Sequence, residues 1–341
     1  MSLLEKRVSA ASISRRSWVV NLIKLAVGLG LLCMLLLPQN SFSKVMAHLK
    51  SAQFFYVGIL LVISLFTNLI NSLRWRLFVT AGGVRFSWWR MYKLALIGRF
   101  FNNFMPGMVG GDIARILILG QEIGSNSRSA ASVIMERILG MVGLVVIALT
   151  AGLINPSMLR YWFVAFPLAA AVAGCLTAVA SYFSSGFSAW LMRLIERLPL
   201  VKSCSAKIGK FLDAFFIFRE HGRTLFWALL LAVTWHFFAC INVYTASLAI
   251  RFHPSFWDVM VITPIILLVT ALPVSPRGIG WWEWCFGVLF AGAGGTAAQG
   301  VAVALTLRAT SLLVSLLGGV FFLTDREIAV PLRQGRNLKI Q

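Results

Sequence analysis

The chain has 341 residues, 59% of them hydrophobic and only 12% charged, with a mean hydropathy of +0.84, which excludes a soluble globule and marks a polytopic membrane protein. Lys and Arg outnumber Asp and Glu 31 to 11, a formal net charge of +20. The basic residues mostly flank apolar runs, so they read as topology signals and contacts with anionic lipid, and nucleic acid is excluded as a partner. The five Cys have no CxxC spacing and the four His stand singly, so neither a metal, a cofactor nor a disulfide framework is expected.

Residues 1–17, with Lys6, Arg7, Arg15 and Arg16, form a basic cytoplasmic N-terminus. Trp18 to Leu37 follows as a first span, longer than the apolar core of a signal peptide and read as an uncleaved anchor. Ser41 to Gln53 alternates apolar and polar residues at helical spacing, with Lys44, His48 and Lys50 on the polar side, and is expected at the surface. Phe54 to Leu73 is the second span. It closes with Asn68 and Asn71 on one face, available to a neighbouring helix as much as to a substrate, and then with Arg74, Trp75 and Arg76. Trp75 joins Trp18, Trp88, Trp89, Trp162 and Trp257 as an expected interfacial residue, and Arg85, Arg90 and Lys93 put this end in the cytoplasm.

The next stretch, Gly98 to Arg115 (GRFFNNFMPGMVGGDIAR), cannot be an ordinary span. Arg99, Asn102, Asn103, Asp112 and Arg115 are costly in hydrocarbon, and Pro106, Gly107, Gly110 and Gly111 interrupt a helix. Broken backbone at membrane depth survives only when buried in protein or lining a water-filled cavity. Thr270 to Trp284 (TALPVSPRGIGWWEW) repeats the order of proline, two glycines and an acid with Pro276, Gly278, Gly280 and Glu283. Two interrupted segments in corresponding places of two halves point to a transporter-like site at a repeat interface. Tight interhelical loops without a ligand are the plainer alternative.

Ala130 to Ile154 is a span carrying Glu136 and Arg137 inside its apolar run. Adjacent residues point in different directions around a helix, so each needs its own partner: Glu136 toward Arg115, and Arg137 toward Asp112. Tyr161 to Phe183 is a further span. In 184–223 basic residues alternate with apolar ones as in an amphipathic helix on the cytoplasmic surface, in contact with anionic lipid. Leu225 to Ile250 and Thr296 to Thr324 complete the spans; Arg308 lies within the last, with Glu283 as its counter-charge, and 326–341 forms a basic cytoplasmic tail.

The expected fold is therefore all-α, with about six full spans and two broken re-entrant helix pairs, 88–119 and 256–292, or about eight spans if each pair crosses fully. In the six-span arrangement the basic loops and both termini fall on one side and the broken pairs enter from opposite faces, an inverted repeat.

Asn71, Arg74 and Trp75, then GRFFNNFMPGMVGGDIAR, ERILGMVGL and LPVSPRGIGWWEW, together resemble the lysylphosphatidylglycerol synthase transmembrane family, also called flippase-like domain proteins. The resemblance covers about residues 20–325 and implies a flippase-like transmembrane domain over 18–325 without the aminoacyltransferase domain of the best-studied members, so lipid handling and not lysyl transfer. It maps family motif positions onto Gly98, Asn102, Pro106, Gly110, Gly111, Arg115, Glu136, Arg137, Pro273, Gly278, Gly280 and Glu283. Gly140 departs from it, standing where many relatives carry an acid, and Arg277 stands where glycine is common.

The leading expectation is a lipid translocase or lipid-transport component of a bacterial inner membrane. Its substrate, a phospholipid or glycolipid, would be held by Arg99, Asn102, Asn103, Asp112, Arg115, Glu136, Arg137, Arg277, Glu283 and Arg308, with Pro106, Gly107, Gly110, Gly111, Pro273, Pro276, Gly278 and Gly280 shaping the backbone. Guanidinium groups suit phosphate, and no GxxxxGK[ST] motif is present for ATP hydrolysis. The alternatives are a transferase acting on a lipid-linked substrate, with Asp112 or Glu283 as general base, and a scaffold that docks a lipid-biosynthetic enzyme.

Overall fold

The computed structural model describes residues 41–104, 110–154, 156–160, 162–183, 218, 221–272 and 274–325, together with most of 22–34. The basic N-terminus, nearly all of the 184–223 segment, the C-terminal tail, Pro106, Gly107 and Pro273 lie outside the described residues. All regular structure among the described residues is helical. After the helical stretch within 22–34 come α1 (Ser41–Lys50), α2 (Phe54–Ala81), α3 (Trp88–Phe104), α4 (Gly110–Glu122), α5 (Asn126–Ile154), α6 (Trp162–Phe183), α7 (Gly222–Ala249), α8 (Phe256–Thr270), α9 (Trp281–Gly292) and α10 (Ala297–Thr324). Short 3₁₀ turns occupy Pro156–Arg160 and Pro276–Gly278.

Length divides eight of these helices into two kinds. α2, α5, α7 and α10 have 28, 29, 28 and 28 residues and are apolar enough to cross a membrane. At 1.5 Å per residue each is about 42 Å long, more than the ~30 Å hydrocarbon layer. α3, α4, α8 and α9 have 17, 13, 15 and 12 residues. Each falls short of the roughly 20 residues a span requires.

The short helices pair as antiparallel hairpins. In the first, Arg90 near the start of α3 pairs with Glu122 at the end of α4 at 2.6 Å, while at the other end the Asn102 side chain accepts from the Gly111 N–H at 2.8 Å. In the second, the Trp281 indole donates to the Val269 carbonyl at 3.1 Å, joining the end of α8 to the start of α9, and Phe252 and Phe290 meet at the opposite end.

α10 shows that the hairpins enter from opposite ends of the bundle. It begins just beyond the open end of the second hairpin and finishes at the open end of the first, where Lys93 pairs with Asp325. α2 and α7 run antiparallel beside them, with the Gln53 N–H donating to the Ala249 carbonyl at 2.9 Å. The order of long helix, hairpin, long helix thus occurs twice, inverted: α2, α3–α4, α5, and then α7, α8–α9, α10. Packing follows the same exchange, since α3 lies on α10 as α8 lies on α5, and α4 lies on α5 as α9 lies on α10.

Two expectations about the periphery change. Trp75 is not interfacial but fully buried in the core beside Met91, Leu94 and Ile118, because its ring lies against α3 and α4 and its indole N–H reaches Ser132 Oγ at 3.0 Å. The amphipathic stretch from Ser41 forms α1, mostly exposed, but its Val45 is 3% exposed and seated in the core formed by α5, α7, α8, α9 and α10.

Close backbone approach holds the hairpins in place. Gly318 of α10 lies against the Leu96 carbonyl of α3, and Gly300 against the Phe286 carbonyl of α9, with no room for a Cβ at either. Membrane helices lack a hydrophobic drive to associate and rely on such contacts. Gly318→Ala is expected to lower stability by about 1–3 kcal/mol through overpacking, whereas Gly58→Ala, with open space around it, leaves it unchanged or slightly raised. Thermal unfolding of the detergent-purified variants measures both.

Candidate functional site

At the inner end of the first hairpin Asp112 is the third residue of α4, where a carboxylate complements the helix dipole. Arg115 follows one turn later and donates to Asp112 Oδ1 at 2.9 Å and to Glu136 Oε2 of α5 at 2.9 Å. Arg74 of α2 reaches the other Glu136 oxygen at 3.4 Å, and Arg137 of α5 pairs with Asp112 Oδ2. Both pairings expected for Glu136 and Arg137 are present, and adjacency on the helix explains them: one side chain turns inward, the other lies more than half exposed. Asp112, Arg115 and Glu136 are 4%, 6% and 3% exposed. Charges so buried persist only when paired and hydrogen-bonded.

The surroundings are cut to this network. A Cβ at Gly98 would meet the Arg115 stem at 2.8 Å, and Gly111 leaves no room between α4 and α3. The Arg115 guanidinium lies 4.7 Å from the Trp75 ring centre, within cation–π range. Three arginines face two carboxylates, so the network keeps one excess positive charge. Arg74 Nε and Nη1 are buried without a partner, and Nη1 lies 3.5 Å from where a Gly140 side chain would begin. The Gly140 carbonyl is instead taken by His236 Nε2 at 2.8 Å.

The second hairpin answers with a smaller set. Glu283 is the third residue of α9; its Oε2 accepts the Gly280 N–H at 2.8 Å and its Oε1 accepts Arg308 Nε at 2.8 Å. Arg308 also donates to the Gly278 carbonyl at 3.3 Å. The turn needs glycine: Gly280 has φ +79° and Gly278 φ +67°, a region that side chains disfavour. Pro276 opens the 3₁₀ turn, which also contains Arg277.

The two pairs occupy matching places. Asp112 and Glu283 are each third in the second helix of a hairpin, and Arg137 and Arg308 are each twelfth in the long helix that follows. Gly110, Gly111 and Asn102 hold the first turn of α4 against the end of α3. Asn103 has a buried amide nitrogen without a partner. Arg99 stands apart from the carboxylates and hydrogen-bonds Ser64 O and Ser311 Oγ.

Sequence reading assigned Arg74 to topology and Trp75 to an interface, although both belong to the charge network. The signal was the helical spacing of Asn68, Asn71, Arg74 and Trp75, which puts them on neighbouring faces; Arg74 Nη2 donates to Asn71 Oδ1 at 2.8 Å. His236 carries no such signal, since its role depends on a carbonyl from α5.

The family described as lysylphosphatidylglycerol synthase TM region matches residues 21–319. The chain is also similar to the UPF0104 membrane protein PH1989 of Pyrococcus horikoshii, 24% identical over 283 residues that cover 77% of this chain and 84% of that protein. No solved structure matches.

Removing one member of a buried pair strands the other, at a cost of about 3–5 kcal/mol. Arg115→Gln and Glu136→Gln are each expected to destabilise the purified protein by that order, with the double variant milder than the sum of the two in a thermal-unfolding cycle. Glu283→Gln is expected to cost less, because Arg308 retains a partly solvated side chain.

Proposed function

The chain belongs to the lysylphosphatidylglycerol synthase transmembrane family, and from that membership we propose that it is a lipid translocase or lipid-transport component. In this reading it binds an anionic or modified lipid head group at a polar site between its two hairpins. The observation that carries it is the matched pair of half-helix hairpins entering from opposite ends, each bearing an acid–arginine pair at an equivalent position. Ion pairs of this kind are costly in a membrane and serve no span that only needs to cross it. Inverted repeats with broken helices at their interface suit a site reached alternately from either side.

Head-group chemistry follows from the groups that retain access. Arg137, with 56% of its side chain exposed, and Arg308, with 29%, can exchange a carboxylate partner for a phosphate. The carboxylate released is then free to meet an ammonium or sugar hydroxyl on the same head group. Arg115, held by two carboxylates and buried, positions Asp112 and Glu136 and is not itself offered to a ligand. The reading includes a bacterial inner membrane with both termini on the cytoplasmic side, supported by the positive-inside charge bias of the sequence.

Reconstitution tests this reading. Proteoliposomes carrying fluorescent phospholipids are expected to expose inner-leaflet lipid to an added quencher faster than empty vesicles by about tenfold or more, equivalent to ~1.4 kcal/mol of barrier. Asp112→Asn and Glu283→Gln should each remove most of that acceleration at equal protein content. Wild-type vesicles no faster than empty ones, across anionic, zwitterionic and glycosylated lipids, would sink the assignment.

A further inference from the structure

The arginines in the interior of the bundle differ in their partners. Arg74, Arg115, Arg137 and Arg308 all pair with carboxylates. Arg99, half-buried on α3, has no carboxylate among the described residues; Nη1 donates to the Ser64 carbonyl at 3.4 Å and Nη2 to Ser311 Oγ at 3.2 Å. Both bonds are long, and neither acceptor carries charge. A guanidinium drawn this far from water without an anion is unfavourable unless something supplies one.

The helices that meet at Arg99 carry further buried amides with an unpartnered atom, nitrogens on Asn68 and Asn103 and Oδ1 on Asn242. Asn103, one turn farther along α3, has a buried side-chain nitrogen without a partner, and so does Asn68, one turn beyond Ser64 on α2 and 6% exposed. Asn242 of α7 donates to Ser64 Oγ at 3.5 Å and brings a fourth helix to the same junction. The carboxylates at the hairpin tips are engaged with their own arginines. Nearby on these helices Val62, Phe66, Phe104 and Leu313 expose apolar side chains, 67%, 42%, 50% and 52% respectively, a surface fit for acyl chains.

We propose that Arg99, with Asn68, Asn103 and Ser311, holds the singly charged phosphodiester of an anionic phospholipid at the junction of α2, α3, α7 and α10. One negative charge balances the Arg99 cation, and phosphate oxygens can accept from guanidinium and amide together. The apolar surface favours lipid over free phosphate. The site rests on the lipid-handling reading and adds to it the residues that take the phosphate.

The test titrates the full-length protein in detergent with dihexanoyl phosphatidylglycerol, dihexanoyl glycerol or inorganic phosphate, following thermal stabilisation and native mass. The phosphatidylglycerol should stabilise wild type saturably, and Arg99→Gln should weaken its apparent affinity by about tenfold or more, with Arg99→Lys intermediate. The uncharged glyceride should give no shift. Asn103→Leu, which removes a donor without removing charge, should weaken binding several-fold and carries the test if Arg99→Gln does not fold. Equal affinity for wild type and these variants would overturn the site. Inorganic phosphate binding as tightly as the lipid would overturn its lipid character and make it a site for a soluble anion. Because binding is read apart from transbilayer movement, Arg99-dependent binding by a protein that moves no lipid would leave this site standing and remove the translocase reading.

Discussion

The architecture depends on taking Asp112, Arg115 and Glu136 out of water together. None could be buried alone, and each is acceptable only with the others in bonding geometry. That requirement fixes the register of three elements, since α4 supplies the first two groups, α5 the third, and Arg74 of α2 the outer contact. It also accounts for residues that look unrelated in the sequence. Gly98 makes room for the Arg115 stem, Gly111 lets α4 approach α3, and Trp75 lies beneath the guanidinium. Glycine, aromatic ring and charge are parts of one solution to the cost of burial.

The second half solves the same problem with fewer side chains. Glu283 has a single arginine and draws its other hydrogen bond from backbone, the Gly280 N–H, while Arg308 spends a donor on the Gly278 carbonyl. Two glycines in left-handed conformation stand in the second half, where the first has two further arginines and a second acid. The first hairpin therefore keeps an excess positive charge, and the second is balanced. An anionic head group would meet different fields at the two tips, although the tips are built on one plan.

Much of this was legible in the sequence. The hairpins announced themselves because proline, glycine and charge inside apolar runs have few acceptable explanations at membrane depth, and α3, α4, α8 and α9 fall where the broken segments were expected. The pairs of Asp112 with Arg137, Glu136 with Arg115 and Glu283 with Arg308 followed from complementary charge. What stayed hidden depends on packing between distant segments. Nothing local to Trp75 separates a ring at an interface from one buried under an arginine, and Arg74 carries the same symbol as the basic residues that only set topology. The equivalence of the halves was too faint in residue identity and became visible in helix lengths and positions.

Gly28, in the helix ahead of α1, lies backbone to backbone against Gly280 at the tip of the second hairpin. The first half of the repeat, α2 to α5, is preceded by this helix, whereas its weight falls on the other half's tip. A device of two interchangeable halves would have mirror-image states of equal energy. The extra helix against the second hairpin's tip makes the two halves inequivalent, through a contact that leaves no space for a side chain at either glycine; in a device that worked by alternation, that inequality would set a preferred resting side.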